Sequence, residues 1–328
     1  MTGLRRFFSI TGVRWLAITV GLLILMFLWF AAVDPLFSGS RNVANILRSV
    51  TPLLLIGIGQ SAVLISGNID LSIGSVIGMS NMVSATMMYR GIAPGPAAIA
   101  AVALGGVFGL LNGELVGRFK IPPFIATLGT MMICRGIAQI ANHNFDTGYI
   151  GSLAAGFRDV FFYGRMLGVY NIILISFVIW AAAFFLLSKT RTGRHIYAVG
   201  NNTEASRLAG VNVNLTIDQV YVISGLCAGL AGLISTAELG FGSMVEGSTY
   251  ELYAVAVAVL GGISTLGGRG LLTGVIAGSF IWVILQNGLI RAGAPVAIRN
   301  IAIGAIIIVV VLLDVNSRRR RGTGAGAK

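Results

Sequence analysis

Ten apolar runs, near residues 15–33, 50–66, 71–88, 97–116, 123–141, 171–187, 217–236, 252–264, 271–290 and 298–313, occupy most of this 328-residue sequence. About 20 apolar residues make a helix long enough to cross the hydrocarbon core of a bilayer. Inside that core every peptide group must be hydrogen-bonded within the protein. The runs therefore predict an all-α polytopic membrane protein of about ten transmembrane helices, with one membrane domain over residues 15–316. Only 10% of the residues are charged, against about a quarter in soluble chains, which excludes a soluble globular domain. The first run follows Arg5, Arg6 and Arg14 as a secretory signal would. It is too long for an h-region, and Asp34-Pro35-Leu36-Phe37 follows where a small-residue cleavage site would stand, so it is read as a span.

An even number of spans puts both termini on one side, and the basic residues say which. With residues 1–14 inside, fifteen bases (Arg5, Arg6, Arg14, Arg118, Lys120, Lys189, Arg191, Arg194, Arg207, Arg269, Arg318–Arg321, Lys328) are cytoplasmic and seven are external. Both termini are expected in the cytoplasm, with a basic disordered tail over 317–328. The formal charge of +12 is thus topological and does not imply a nucleic-acid partner. Two connections are long: an external loop over 142–170 and a basic cytoplasmic loop over 188–216.

Residues Ser66 to Gly74 (SGNIDLSIG) form an acidic, glycine-flanked break between two runs. It carries no base, unlike the other cytoplasmic connections, and is expected to be recessed into the protein with Asp70 near the start of the third helix. Asp70 is either a helix cap or a polar group beside a translocation path, and the two roles are compatible. Ser66-Gly67-Asn68-Ile69-Asp70-Leu71 is echoed by Gly261-Gly262-Ile263-Ser264-Thr265-Leu266, as in transporters built from duplicated broken segments. Gly105, Gly109, Gly113 and Gly117 recur every fourth residue, as do Gly225/Gly229 and Gly274/Gly278; such stripes serve helix packing within the chain or a subunit interface.

Catalytic readings fail on the residues. His143 and His195 fall on opposite sides of the membrane and no Cys/His spacing suggests a metal site. Cys134 and Cys227 lie inside apolar runs and read as buried thiols. No lysine stands in a Gly-Lys-Ser/Thr sequence, so a phosphate-binding P-loop is excluded. The polar residues inside the runs are mostly amides and hydroxyls. Gln60, Asn68, Asp70, Ser72, Asn81, Asn112 and Asn287 are the candidate path residues, each with interhelical hydrogen bonding as its alternative role. So charge-poor a set suits a neutral polyhydroxylated solute better than an ion.

In the cytoplasmic loop, Thr203-Glu204-Ala205-Ser206-Arg207 reads as a short helix closed by Gly210. Glu204-Ala205-Ser206-x-x-x-Gly210 resembles the loop by which permeases of ABC importers engage their ATPase. Taken with Ser66–Gly74, Arg191-Thr192-Gly193-Arg194, Gly210–Asn214 (GVNVN) and Val259–Gly270 (VLGGISTLGGRG), the sequence between about Ile46 and Asp314 resembles the ribose/xylose/arabinose/galactose permease family. The resemblance implies a bacterial inner-membrane importer subunit that works as a homodimer, with a two-domain ATP-binding partner on Glu204, Ala205, Ser206, Arg207 and Gly210. A periplasmic sugar-binding protein is implied on the outer face. ATP and Mg would sit on the partner, and this chain would carry no cofactor and no catalytic residue. Asn68 stands where that family commonly has a second glycine. The competing expectations are the same architecture carrying branched-chain amino acids or nucleosides, and a stand-alone secondary transporter or channel.

Overall fold

The computed structural model describes residues 10–151 and 154–322, and among these it contains thirteen α-helices. They are α1 (Ile10–Val33), α2 (Ser40–Ile65), α3 (Ile73–Tyr89), α4 (Pro94–Gly117), α5 (Pro123–Ala141), α6 (Ala155–Arg158), α7 (Asn171–Lys189), α8 (Arg191–Asn201), α9 (Thr203–Leu208), α10 (Val213–Leu239), α11 (Tyr250–Leu260), α12 (Leu272–Arg291) and α13 (Val296–Gly322). The departure from all-α is small: a π-helical turn, Asp159–Tyr163, and a two-stranded antiparallel pair, Arg165–Met166 with Val169–Tyr170. A helix covers most of each of the ten apolar runs, although the run 252–264 leaves its helix after Leu260. Six helices, α2, α4, α5, α7, α10 and α12, are long and apolar enough to cross a membrane. α11, with 11 residues, is about 16 Å long, half the thickness of a hydrocarbon core.

Burial sorts the helices into a centre and a rim. In the apolar windows of α2 and α10, 83% and 78% of residues are buried, against 17% in α7. α7 and α5 present exposed apolar side chains such as Phe177, Val178, Ile133 and Ile140, as lipid-facing helices do. α3 is the most enclosed for its length, with 14 of its 17 residues buried.

The glycine stripe of α4 is a seam inside the chain. A methyl group at Gly105 would overlap the Gly225 carbonyl oxygen, one at Gly109 the Tyr221 carbonyl oxygen, and one at Gly113 would come within 2.6 Å of the Asp218 Cα. α4 and α10 thus run antiparallel with their backbones in contact, an approach only glycine allows in a medium where packing rather than hydrophobicity drives association. Gly274 and Gly278 do the same for α12 against Gly261 and Val257 at the end of α11.

Several boundaries differ from the sequence expectation. α2 starts ten residues before the expected run, at Ser40, because its polar first turns are satisfied by protein. Asn42 Nδ2 donates to the Phe37 carbonyl (2.8 Å) and to Asn287 Oδ1 (2.9 Å), while the Arg48 guanidinium lies 4.9–5.7 Å from the rings of Phe162, Tyr163 and Tyr170. α13 continues through Arg318–Arg321 to Gly322, so helix covers the first part of the segment expected to be disordered, and residues 323–328 lie outside the described residues, as do residues 1–9 of the N-terminal segment. Arg291 Nε donates to Asp34 Oδ2 at 2.6 Å, tying the ends of α12 and α1. This bond holds the Asp34 carboxyl below its ordinary range, so the tie is kept at neutral pH and is lost as the pH falls through that lowered value.

The seam makes a direct prediction. Gly105→Ala should lower unfolding stability in detergent by about 1–3 kcal/mol through overpacking. Gly129→Ala on α5, with nothing within 4 Å of the new methyl, should be neutral or slightly stabilising; thermal unfolding of the two purified variants checks both.

Candidate functional site: two helix breaks, an exposed short helix and a re-entrant segment

α2 and α11 end identically. After α2, Gly67 has φ +83°, its N–H donates to the Leu64 carbonyl (2.9 Å), and the Asn68 N–H donates to the Val63 carbonyl (3.1 Å). After α11, Gly262 has φ +83°, with Gly262 N–H to Val259 (2.8 Å) and Ile263 N–H to Ala258 (3.0 Å). This paired pattern ends a helix with a left-handed residue that glycine best supplies, and it superposes the two segments in the register of the sequence echo. The breaks also touch: Gly268 N–H donates to the Ile65 carbonyl at 2.7 Å, and the Gly267 Cβ position lies 2.8 Å from Gly67 Cα.

The chain of the first break then climbs back into the bundle. Tyr221 OH donates to the Ile69 carbonyl (2.9 Å), and Ser224 Oγ donates to Asp70 Oδ2 (2.7 Å). Ser224 is the twelfth residue of the 27-residue α10, about 16 Å from its start, so Asp70 sits near mid-depth of the bundle. It is 1% exposed. Its Oδ1 accepts from the Ser72 N–H (2.9 Å) and Ser72 Oγ (2.6 Å). Asp70 therefore braces the turn leading into α3 from two residues ahead of the cap position, which Ser72 itself occupies. The network continues through Asn112 Nδ2 to Ser72 Oγ (2.9 Å) and Thr130 Oγ1 to Asn112 Oδ1 (2.7 Å), so one carboxylate links α10, α3, α4 and α5. A buried network of this kind is stable only when each member is satisfied.

The other candidates are placed elsewhere. Gln60 is fully enclosed on α2, with no hydrogen-bond partner for its amide among the described residues. Asn287 receives Asn42, as above. Asn81 Nδ2 donates to Thr236 Oγ1 (3.0 Å) and to the Phe241 carbonyl (3.3 Å), and its Oδ1 accepts from the Ser243 N–H (2.8 Å). Asn68 Nδ2 donates to Ser66 Oγ (2.9 Å) and lines an open cleft of about 410 Å³ together with Lys120, Thr203 and Arg207.

That cleft joins the first break to α9. α9 carries Glu204, Ala205, Ser206 and Arg207; Asn202 caps it by accepting the Ala205 N–H (2.9 Å), and Ser206 Oγ donates to the Asn202 carbonyl (2.8 Å). Gly210, at φ +81°, closes it. Glu204 and Arg207 pair at 3.5 Å in an exposed position, and Leu208 is 89% exposed. The preceding helix α8 ends at the breaks: a methyl at Gly200 would overlap the Ile65 carbonyl oxygen and come within 2.7 Å of Gly268 N, and Tyr197 OH donates to the Gly270 carbonyl (2.8 Å). α8 is thereby wedged against both breaks while α9 projects outward from it.

Sequence reasoning missed a second polar region. After α10, residues 240–249 run back along α3 without forming a helix. Gly242 meets Met82 and Ala85, Asn81 holds Phe241 and Ser243, the Glu246 carbonyl faces Gly78, and Gly247 meets the Gly74 carbonyl. Arg135 of α5 fastens it, donating to the Glu246 carbonyl at 2.6 Å, and Ser235 Oγ donates to Glu246 Oε1 at 2.9 Å. Segment 146–150 covers its start, through Met244 N–H to Asp146 Oδ1 (2.6 Å) and Thr147 N–H to the Gly242 carbonyl (3.0 Å). Two signals pointed here: Arg135 stands in the middle of an expected span, and the 237–251 connection holds three glutamates and no base.

Comparison with known proteins gives the family. Residues 42–311 match the family described as branched-chain amino acid transport system / permease component. The D-allose transport system permease protein of Escherichia coli strain K12 is 35% identical over 287 residues, 87% of each chain. The ribose import permease protein of the same organism is 34% identical over 312 residues, 94% of this chain and 96% of the relative. The galactose/methyl galactoside import permease protein of Haemophilus influenzae is 35% identical over 302 residues, 86% and 89% of the two chains. No solved structure matches the chain. With a family match over residues 42–311 and such identity along nearly its whole length, the chain belongs to the transport-system permease family that includes these ribose, allose and galactose permeases.

Proposed function

We propose that this chain is the membrane-spanning subunit of an ATP-driven importer for a neutral monosaccharide. It works as a homodimer of ten-span subunits with both termini in the cytoplasm. A cytoplasmic two-domain ATP-binding subunit docks on α9, and a periplasmic sugar-binding protein delivers the cargo. The observation that carries this reading is the wedge of α8 against both helix breaks: displacement of α9 is passed through Gly200 to Ile65 and Gly268. ATP, bound with Mg on the partner, shifts the permease between outward- and inward-open states only insofar as the partner's ATP-bound form fits one state better.

The sugar cargo is supported by the relatives and by an interior in which Asp70 is already occupied by three hydrogen bonds. The family description mentions branched-chain amino acids, but the relatives that match along most of the chain are ribose, allose and galactose permeases by name. A stand-alone carrier has no use for an exposed capped helix that projects from the one seated on its breaks.

Reconstitution tests the assignment. Proteoliposomes holding this chain, the ATP-binding subunit and the sugar-binding protein should accumulate D-ribose, D-allose or D-galactose when ATP is supplied to the ATPase side. A sodium or proton gradient should drive no uptake; uptake by the chain alone on such a gradient would contradict the importer reading. Glu204→Ala removes only an exposed ion pair, whose loss costs about 0.5 kcal/mol or less. The variant should reach the membrane at wild-type levels yet capture the ATPase poorly and lose uptake at least about ten-fold. Gly210→Val, which forces a β-branched residue into the left-handed region, should act in the same direction. Asp70→Asn should reduce uptake more than membrane abundance; equal loss of both would restrict Asp70 to a purely structural role.

A further inference from the structure

The re-entrant segment 240–249 has a side that nothing in the chain covers. Gly247 packs on Gly74, and Gly74 lies fifteen residues before the end of α3 at Tyr89, about 22 Å along the helix axis. The segment therefore descends well below the end of the bundle, to about the level of Asp70, before α11 begins. At that depth Ser248 and Thr249 are exposed, as are their neighbours Val245 (73%) and Leu252 (45%). Ser248 Oγ donates to the Val245 carbonyl (2.7 Å) and Thr249 Oγ1 to the Ser248 carbonyl (2.5 Å), so each hydroxyl keeps its own acceptor lone pairs for another group. Non-helical backbone at membrane depth cannot face lipid; it is either buried in protein or lines water. The opposite side is fixed by α3, Asn81 and Arg135, which leaves the exposed side to another protein chain or to enclosed water.

We infer that the exposed side of residues 245–252 lines the aqueous solute path, enclosed by the same segment of a second copy of this chain, and that Ser248 and Thr249 contact the cargo as hydroxyl partners for a neutral polyol. This rests on the dimeric importer reading. A closed two-fold contact brings the same surface of both subunits together, so the two segments would form opposite walls. Asn81 and Arg135 act as positioning residues, holding the wall at its depth. Val245 and Leu252 supply the apolar part that a sugar's C–H faces require.

Single cysteines test this in the assembled importer in proteoliposomes, because the native Cys134 and Cys227 are buried and leave a low background. Ser248→Cys should react with a charged, water-borne methanethiosulfonate at least about ten-fold faster than Val178→Cys, whose side chain on α7 is exposed on the lipid-facing rim. Whichever of D-ribose, D-allose or D-galactose the wild type accumulates should slow that reaction when delivered on its binding protein with ATP. A Ser248→Cys rate no greater than that of Val178→Cys, with preferential reaction toward a lipid-soluble maleimide, overturns the path assignment. Rapid aqueous reaction that the transported sugar does not slow overturns the contact with cargo. Failure of the importer reading registers separately, as absence of ATP-driven uptake by the wild type.

Discussion

The structure depends on the requirement that a peptide chain interrupted at membrane depth find all its hydrogen bonds in protein or in enclosed water. Three of its helices, α2, α10 and α11, give way to non-helical segments that pack against the bundle. Glycine caps and side-chain ties together satisfy them. The two breaks end in matched glycine caps and share a hydrogen bond between Gly268 and Ile65. The chain beyond the first break is held by the Asp70 network, and the re-entrant segment by Asn81, Ser235 and Arg135. Helices without interruptions, such as α7, are left to the rim.

Close backbone approach is the second theme, and it converts a local feature into a mechanical one. Where Gly105 meets Gly225 or Gly274 meets Gly261, the helices cannot slide without clashing, because protein interiors transmit displacement rather than absorb it. The same contact at Gly200 joins the pair α8–α9 to the broken segments. Motion imposed on α9 therefore has a short, stiff route to the breaks, while the Glu204–Arg207 pair itself stays exposed.

The parts legible in the sequence were those written in spacing. Glycines at every fourth residue announced the α4–α10 seam, the missing base announced the recessed position of Asp70, and the register of the echo matched the two helix ends residue for residue. The polar start of α2 was not legible, because Asn42 and Arg48 look like loop residues until Asn287 and the ring cluster of Phe162, Tyr163 and Tyr170 are seen beside them. Nor was the re-entrant segment, since residues 240–249 have neither helical nor strand periodicity and their partners come from α3, α5 and α10. The candidate amides dispersed for a similar reason: Asn112 joined Asp70 and Ser72, whereas Asn81 and Asn287 proved to be ties between distant segments.

The central claim is that α8 transmits partner-driven motion to both breaks through Gly200. Gly200→Ala in the assembled importer tests it most directly, with ATP hydrolysis and sugar uptake measured on the same proteoliposomes. The account predicts that hydrolysis persists, showing an intact docked complex, while sugar moved per ATP falls at least about ten-fold. An unchanged ratio of uptake to hydrolysis would contradict it.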